Sequence, residues 1–270
     1  MSAELFLVGD GPTGVLVLSG SSGRVEEDRC RVLAAAGATA ASYRWFGAEI
    51  DLVPLESFDD ALLTLHERCD RLVVMGTSRG AEAALLLGAR HPEIDAVVSV
   101  SGSGVVWAGL SSDRPQRSAW TSGGSPLPFV PYDDSWEPEP GADPLELVGM
   151  YEQSLASYAD RVPAARIPVE RIAGEVVLVA GGDDRLWPGL DLAEGVVRRR
   201  EAAGLATTLV SHPEAGHRLL LPGEQVPPPP RLVHGGTSEA DAELGRRVWP
   251  ELLRLLAPPG AGSKTVDRSR

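Results

Sequence analysis

Three places along the chain carry side chains suited to covalent catalysis. A serine sits between glycines in Gly76-Thr77-Ser78-Arg79-Gly80, an acidic pair follows glycines in Gly181-Gly182-Asp183-Asp184, and a histidine closes Ala215-Gly216-His217. A serine hydroxyl is a poor nucleophile at neutral pH. It needs a base within hydrogen-bond reach, and that base needs an orienting carboxylate. The order Ser, Asp, His along the chain is one of the orders in which such sets occur.

That order sorts the five histidines. His66 and His91 come too early, which leaves His212, His217 and His234. His217 is the expected base, because it follows a glycine in a loop just past the last predicted strand. His212 abuts Pro213 and reads as a packed or surface residue, and His234 in its glycine-rich loop is the weaker alternative. Asp183 and Asp184 both leave the end of the strand predicted over 175–180. The spacing Gly181-x-x-Asp184 favours Asp184, with the other aspartate capping the turn or helix.

An acyl-transfer oxyanion needs two aimed N–H donors. One is the backbone amide of Arg79, at the start of a helix where the dipole helps. The second is expected from the loop after Val15–Ser19, from Ser21 or alternatively Ser22. Trp107, Trp120, Trp136 and Trp187 are candidates to line an acyl pocket, with packing in the core or in a cap as the competing reading.

The elements that must hold these groups read as alternating strands and helices. Apolar, β-branched runs at 15–19, 39–44, 72–75, 95–101, 175–180 and 206–211 read as buried strands. Helices are expected from Glu26 to Gly37, after Ser57 as N-cap, from the elbow to Arg90, over about 190–203 and over 238–256. Alternation of this kind means βαβ units and a mostly parallel sheet with helices on both faces. A strand, a sharp Gly-x-Ser-x-Gly turn and an Ala/Leu-rich helix then describe a nucleophile elbow, and the fold class is α/β-hydrolase.

The rhythm breaks over about 103–171, a stretch rich in Trp and Pro with one predicted helix at 144–160. Connections are ordinarily far shorter, so this insertion is expected to be a cap over the site. One domain is expected over 1–257, with residues 258–270 a disordered tail.

The chain has 270 residues, 43% of them hydrophobic, and a formal charge of −13. That suits one α/β domain with a sizeable core. The acidic balance argues against nucleic acid and anionic membrane as partners. A polyanionic substrate would need local cations, for which Arg24, Arg79, Arg185, Arg198, Arg199, Arg200 and Arg218 are candidates, although the run 198–200 reads as a solvated helix face. Cys30 and Cys69 form no metal-ligand or disulfide pattern, and each reads as a small buried residue. No metal or cofactor is implied. The four-residue apolar run Leu5–Val8 is too short for a signal peptide or membrane span, so the expected location is cytoplasmic.

With these pieces placed, the chain resembles the C-terminal catalytic domain of acyl-CoA thioesterases and bile acid-CoA:amino acid N-acyltransferases, a branch of the α/β-hydrolases. The resemblance extends over most of residues 12–257. It rests on Leu18-Ser19-Gly20-Ser21-Ser22-Gly23, Val53-Pro54-Leu55-Glu56, Gly76-Thr77-Ser78-Arg79-Gly80-Ala81-Glu82 and Pro126-Leu127-Pro128-Phe129-Val130-Pro131. It continues in Ile167-Pro168-Val169-Glu170-Arg171-Ile172, Gly182-Asp183-Asp184-Arg185-Leu186-Trp187-Pro188, Ala215-Gly216-His217 and Gly235-Gly236-Thr237.

The resemblance implies Ser78 as nucleophile, Asp184 as acid and His217 as base. The family's thioesterases use serine and its amino-acid transferases use cysteine, so Ser78 implies hydrolysis of a CoA- or carrier-protein-linked acyl thioester. The alternatives on the same residues are a carboxylesterase of the dienelactone-hydrolase kind, or an acyltransferase to an amine or alcohol; a non-catalytic binding protein of the same fold is the reading from another class. Eukaryotic members carry an additional N-terminal β-sandwich, for which there is no room before residue 12. A stand-alone bacterial member is the expectation from that and from the Ala/Arg/Pro-rich composition.

Overall fold

The computed structural model describes residues 4–111, 115–228 and 231–258. The expected tail therefore lies outside the described residues apart from Pro258. In chain order the elements are β1 (Phe6–Val8), β2 (Thr13–Leu18), α1 (Glu27–Ala35), β3 (Ala38–Ser42), β4 (Val53–Pro54), α2 (Asp59–His66), β5 (Arg71–Thr77), α3 (Arg79–Arg90) and β6 (Ala96–Val100). They continue as β7 (Trp120–Ser122), β8 (Ser125–Pro126), α4 (Val148–Ser157), α5 (Val162–Ala165), β9 (Glu175–Gly181), α6 (Gly189–Ala202), β10 (Thr208–His212) and α7 (Ser238–Leu256).

Seven strands form one sheet in the order β1-β3-β2-β5-β6-β9-β10. All neighbours are parallel except β1, which runs antiparallel along β3. The alternation of side chains explains the apolar runs. Val15, Val17, Val73, Met75, Val177 and Val179 face one side, under α1 and α7. Leu16, Leu18, Leu72, Val74, Val176 and Leu178 face the other, under α2, α3 and α6. Strands covered on both faces have no polar face to show.

The chain winds outward from β2 to β3 on one side and from β5 through β6, β9 and β10 on the other. The switch point lies between β2 and β5, and open α/β sheets bind their ligands there, beyond the carboxyl ends of the strands.

Four expectations need correction. The short run Leu5–Val8, considered only as a leader, supplies the edge strand β1. Ser57 does not cap α2: a 3-10 turn over Leu55–Phe58 precedes the helix, and the Ser57 hydroxyl bonds back to Pro54 O at 2.6 Å. The helix predicted at 144–160 is shorter, Val148–Ser157. Residues 101–174 also contain strands that were not anticipated, β7 and β8, which join β4 in a three-stranded sheet. Pairings of two or three residues leave too little period to read.

Candidate active site

Ser78 stands between β5 and α3 with φ +56° and ψ −118°, a strained conformation for a residue with a side chain. Its glycines are required by space. A Cβ on Gly76 would lie 2.0 Å from Gly80 O, and one on Gly80 would lie 2.4 Å from Leu18 O and Ser19 O. Gly20 also runs close to Ser78, since a Cβ there would lie 3.0 Å from Ser78 Cβ. The Ser78 amide is anchored to Val100 O at 2.9 Å. The amides of Arg79 and Gly80 precede the first hydrogen bonds of α3, which Ala81 and Glu82 make to Ser78 O at 2.9 and 3.2 Å, and they point toward the serine's end of the helix.

Asp184 and His217 meet on the loops after β9 and β10. His217 Nδ1 lies 2.7 Å from Asp184 Oδ2, and both residues are buried. The other carboxylate oxygen, Oδ1, accepts from the amides of Leu186 at 2.9 Å and Trp187 at 3.2 Å. A carboxylate at Nδ1 fixes the proton there and leaves Nε2 as the basic nitrogen. Nε2 has no hydrogen-bond partner among the described residues. The His217 amide bonds His234 O at 2.8 Å, and the Gly216 amide bonds Asp241 Oδ1 at 2.9 Å.

Asp183, the other member of the acidic pair, faces away. It accepts from the Gly236 amide at 2.9 Å and from Arg185 Nε at 2.7 Å, which hold its carboxyl below the usual range. Its place is to tie down the loop carrying Gly235 and Gly236. His212 accepts from the Glu214 amide at the end of β10 and is not part of the cluster.

Ser78 and His217 line one cleft of about 360 Å³, together with Gly20, Ser21, Ser22, Leu186 and His234. Both candidates for the second oxyanion amide, Ser21 and Ser22, are on its wall. His234 packs edge-on to His217 with centroids 5.4 Å apart, and burial, then the charges of His217 and Arg218, lower it to about 4.

The tryptophans divide. Trp107, Trp120 and Trp187 are fully buried and do not line this cleft. Each spends its indole N–H inside the protein, on Ser103 Oγ, Glu82 Oε1 and Ser101 O respectively. Trp136 fronts a second cleft of about 670 Å³ with Asp183, Asp184 and Arg185. The described residues of 103–171 contribute to that second cleft and not to the first.

The arginines divide too. Arg24 and Arg218 reach the Ser78 cleft, whereas Arg79 is buried and turned inward, and Arg200 is buried against the carbonyls of Val169 and Ile172. Two further arginines on the cleft escaped the sequence reading. Arg231 carries no ion pair among the described residues, and Arg29 is buried with Glu224, its Nη1 bonding Thr77 Oγ1 at 3.1 Å. The Arg29 partner is 195 residues away, so no local pattern announces it.

Cys30 and Cys69 are free thiols, and burial pushes Cys30 up to about 12. No helix among the described residues is long and apolar enough to cross a membrane.

Comparison with known proteins adds to this geometry. A family profile described as BAAT / acyl-CoA thioester hydrolase C terminal matches residues 53–257. A thermostable monoacylglycerol lipase of Bacillus sp. (strain H-257) is 28% identical over 231 residues, covering 76% of this chain and 88% of that protein. A peroxisomal succinyl-coenzyme A thioesterase of Mus musculus is 23% identical over 272 residues, covering 93% of this chain; the match spans 61% of the mouse protein's length. Among solved structures, a Paleococcus ferrophilus monoacylglycerol lipase superposes with a TM-score of 0.56 at 15% identity, covering 94% of this chain and all of that one, which shows the shared α/β-hydrolase fold.

Proposed function

The chain belongs to the BAAT / acyl-CoA thioester hydrolase C-terminal family, and from that premise we propose that it is a serine hydrolase cleaving acyl thioesters through Ser78, Asp184 and His217. The observation that carries this reading is the 2.7 Å contact between His217 Nδ1 and Asp184, on the same cleft as a serine held at φ +56°.

In this mechanism Ser78 Oγ attacks the thioester carbonyl while His217 Nε2 takes its proton. The amides of Arg79 and Ser21 receive the developing oxyanion. His217 then returns the proton to the departing thiol sulfur, leaving an acyl ester on Ser78. Water, deprotonated by the same imidazole, attacks that ester, and collapse of the second tetrahedral intermediate frees the carboxylic acid and the serine. Asp184 holds the imidazole in register and stabilises its charged form.

The thioester part of the proposal draws on charge. Arg218 and Arg231 stand on the Ser78 cleft without an acidic partner among the described residues, in a chain of charge −13. A phosphate-bearing carrier such as CoA would pair with them. An uncharged alcohol leaving group would not, although the similarity to the Bacillus lipase makes oxygen-ester hydrolysis the second reading. Acyl transfer to an amine or alcohol ranks behind both, since the nucleophile is serine.

Thiol release from a panel of acyl-CoAs, set against nitrophenyl and glycerol esters of the same acyl chains, tests the proposal. The expected result is a higher kcat/KM on at least one acyl-CoA than on every oxygen ester. Faster turnover of the oxygen esters throughout would replace the thioesterase reading with the esterase one.

A further inference from the structure

One turn into α3, four residues beyond Ser78, Glu82 is fully buried. Both of its carboxylate oxygens are engaged. Oε2 accepts from Arg79 Nη1 at 2.8 Å, and Oε1 accepts from the Trp107 amide at 3.0 Å and from Trp120 Nε1 at 2.8 Å. Arg79, equally buried, donates from Nη2 to Ala108 O at 3.2 Å and to the Tyr132 hydroxyl, which itself donates to Ala108 O at 3.0 Å. The guanidinium also lies 5.9 Å from the Trp187 ring centroid. Trp187 in turn packs edge-on to His217 and gives its amide to Asp184.

Stability alone is a poor reason for this pair. A cation on the first residue of a helix opposes the helix dipole. Burial pushes the Glu82 carboxyl upward against the pull of Arg79, the Trp107 amide and Trp120. Arg79 Nε is left buried with no partner among the described residues. Well-packed apolar residues in place of a buried ion pair often leave a protein as stable or more so. What the pair does provide is geometry. It joins the residue that carries the proposed oxyanion amide to residues 107, 108, 120 and 132 of the excursion, and through Trp187 to the base.

We propose that Glu82 and Arg79, through its side chain, are positioning residues that hold the Ser78–Arg79 peptide in register with His217 and the oxyanion. The inference rests on the reading of Ser78 as nucleophile. It separates rate from binding, because neither side chain lines the Ser78 cleft.

The test is the double variant Arg79→Met with Glu82→Leu, measured for Tm, kcat, KM and the rate at which a fluorophosphonate labels Ser78. The apolar pair removes the desolvation cost of the two charges but leaves the Trp107 amide and Trp120 Nε1 without their acceptor, so Tm is read only to show that the variant folds. The kcat and labelling rate are expected to fall together on the order of 10²-fold, the scale of a 1 Å misplacement, with KM within about twofold. A double variant with wild-type kcat overturns the proposal. Should that variant fail to fold, Tyr132→Phe decides: it keeps the ring packing on Trp107 and Tyr151 and removes one hydroxyl. There the expected loss is about fivefold in kcat, the equivalent of one hydrogen bond, and no loss overturns the proposal. Ser78→Ala measured alongside keeps the two readings apart. If it stays active the functional reading fails; if it is inactive while the other variants turn over normally, only the positioning role fails.

Discussion

Two clefts flank Asp184, and their charges are opposite. The cleft that holds Ser78 is lined by Arg218 and Arg231, with Arg24 paired to Glu26 at 2.9 Å and Arg29 neutralised by Glu224. The cleft on the far side is lined by Glu137, Glu139, Glu146, Glu152 and Asp183, against a single Arg185 that is already paired with Asp183 and Glu146. The formal charge of −13 therefore matches the far cleft and hides the cationic one around Ser78. Where the charges stand decides which way an anionic substrate approaches, because like charge at a cleft mouth repels it and unpaired guanidinium draws it in. Asp184 belongs chemically to the cationic side, since its Oδ2 is committed to His217.

The largest effect expected from this contrast is at Asp184 itself. Asp184→Asn keeps an acceptor for the Leu186 and Trp187 amides but presents the wrong partner to His217 Nδ1. It should lower kcat by about 10⁴-fold with little change in Tm. A loss below tenfold would mean that the carboxylate serves the loop and not the base. Next in size is the charge reversal Arg218→Glu with Arg231→Glu. KM for an acyl-CoA should rise about 10- to 100-fold, kcat should hold, and the acyl N-acetylcysteamine thioester, which lacks phosphates, should be unaffected. Equal losses on both substrates would show that the arginines shape the cleft and do not read charge. On the acidic side, Glu139→Gln with Glu146→Gln should move KM for the acyl-CoA by less than about twofold, as expected of exposed carboxylates off the approach path. A larger drop in KM would place the anion on that side.

The smallest expected effect is one of pH. His234 titrates at about 4 in the folded protein, chiefly because burial opposes its charge, and near 6.5 as an ordinary histidine. The unfolded chain therefore binds the proton more readily between these values, and stability rises with pH across that window. In His234→Asn, urea midpoints should fall less steeply than in the wild type on acidification from pH 6.5 to 4. Parallel slopes would contradict the lowered value.

Much of this is legible in the sequence, for reasons that the molecule makes plain. Val15, Val73 and Val177 recur in runs because parallel strands are covered on both faces, and Gly76, Ser78 and Gly80 fall at fixed spacing because the elbow leaves no room for side chains. The spacing Gly181-x-x-Asp184 favours Asp184 over Asp183, but what each carboxylate does is a tertiary fact: Asp184 meets His217, and Asp183 meets the Gly236 amide, 53 residues on. The tryptophans misled for a related reason. An indole at 120 reads as apolar surface in a sequence, yet its N–H is taken by Glu82, 38 residues away, and the same carboxylate takes the backbone amide of Trp107, 25 residues away. The cationic rim was half visible, since Arg24 and Arg218 stood out as candidates while Arg231 had no neighbouring pattern to mark it.

The central claim, that the chain works through an acyl ester on Ser78, is tested most directly by mass spectrometry of protein quenched during turnover of an acyl-CoA. The account predicts a mass increase equal to the acyl group on the peptide containing Ser78, absent from Ser78→Ala, whose turnover falls by at least about 10³-fold. A Ser78→Ala protein that hydrolyses the same acyl-CoA at the wild-type rate would contradict it.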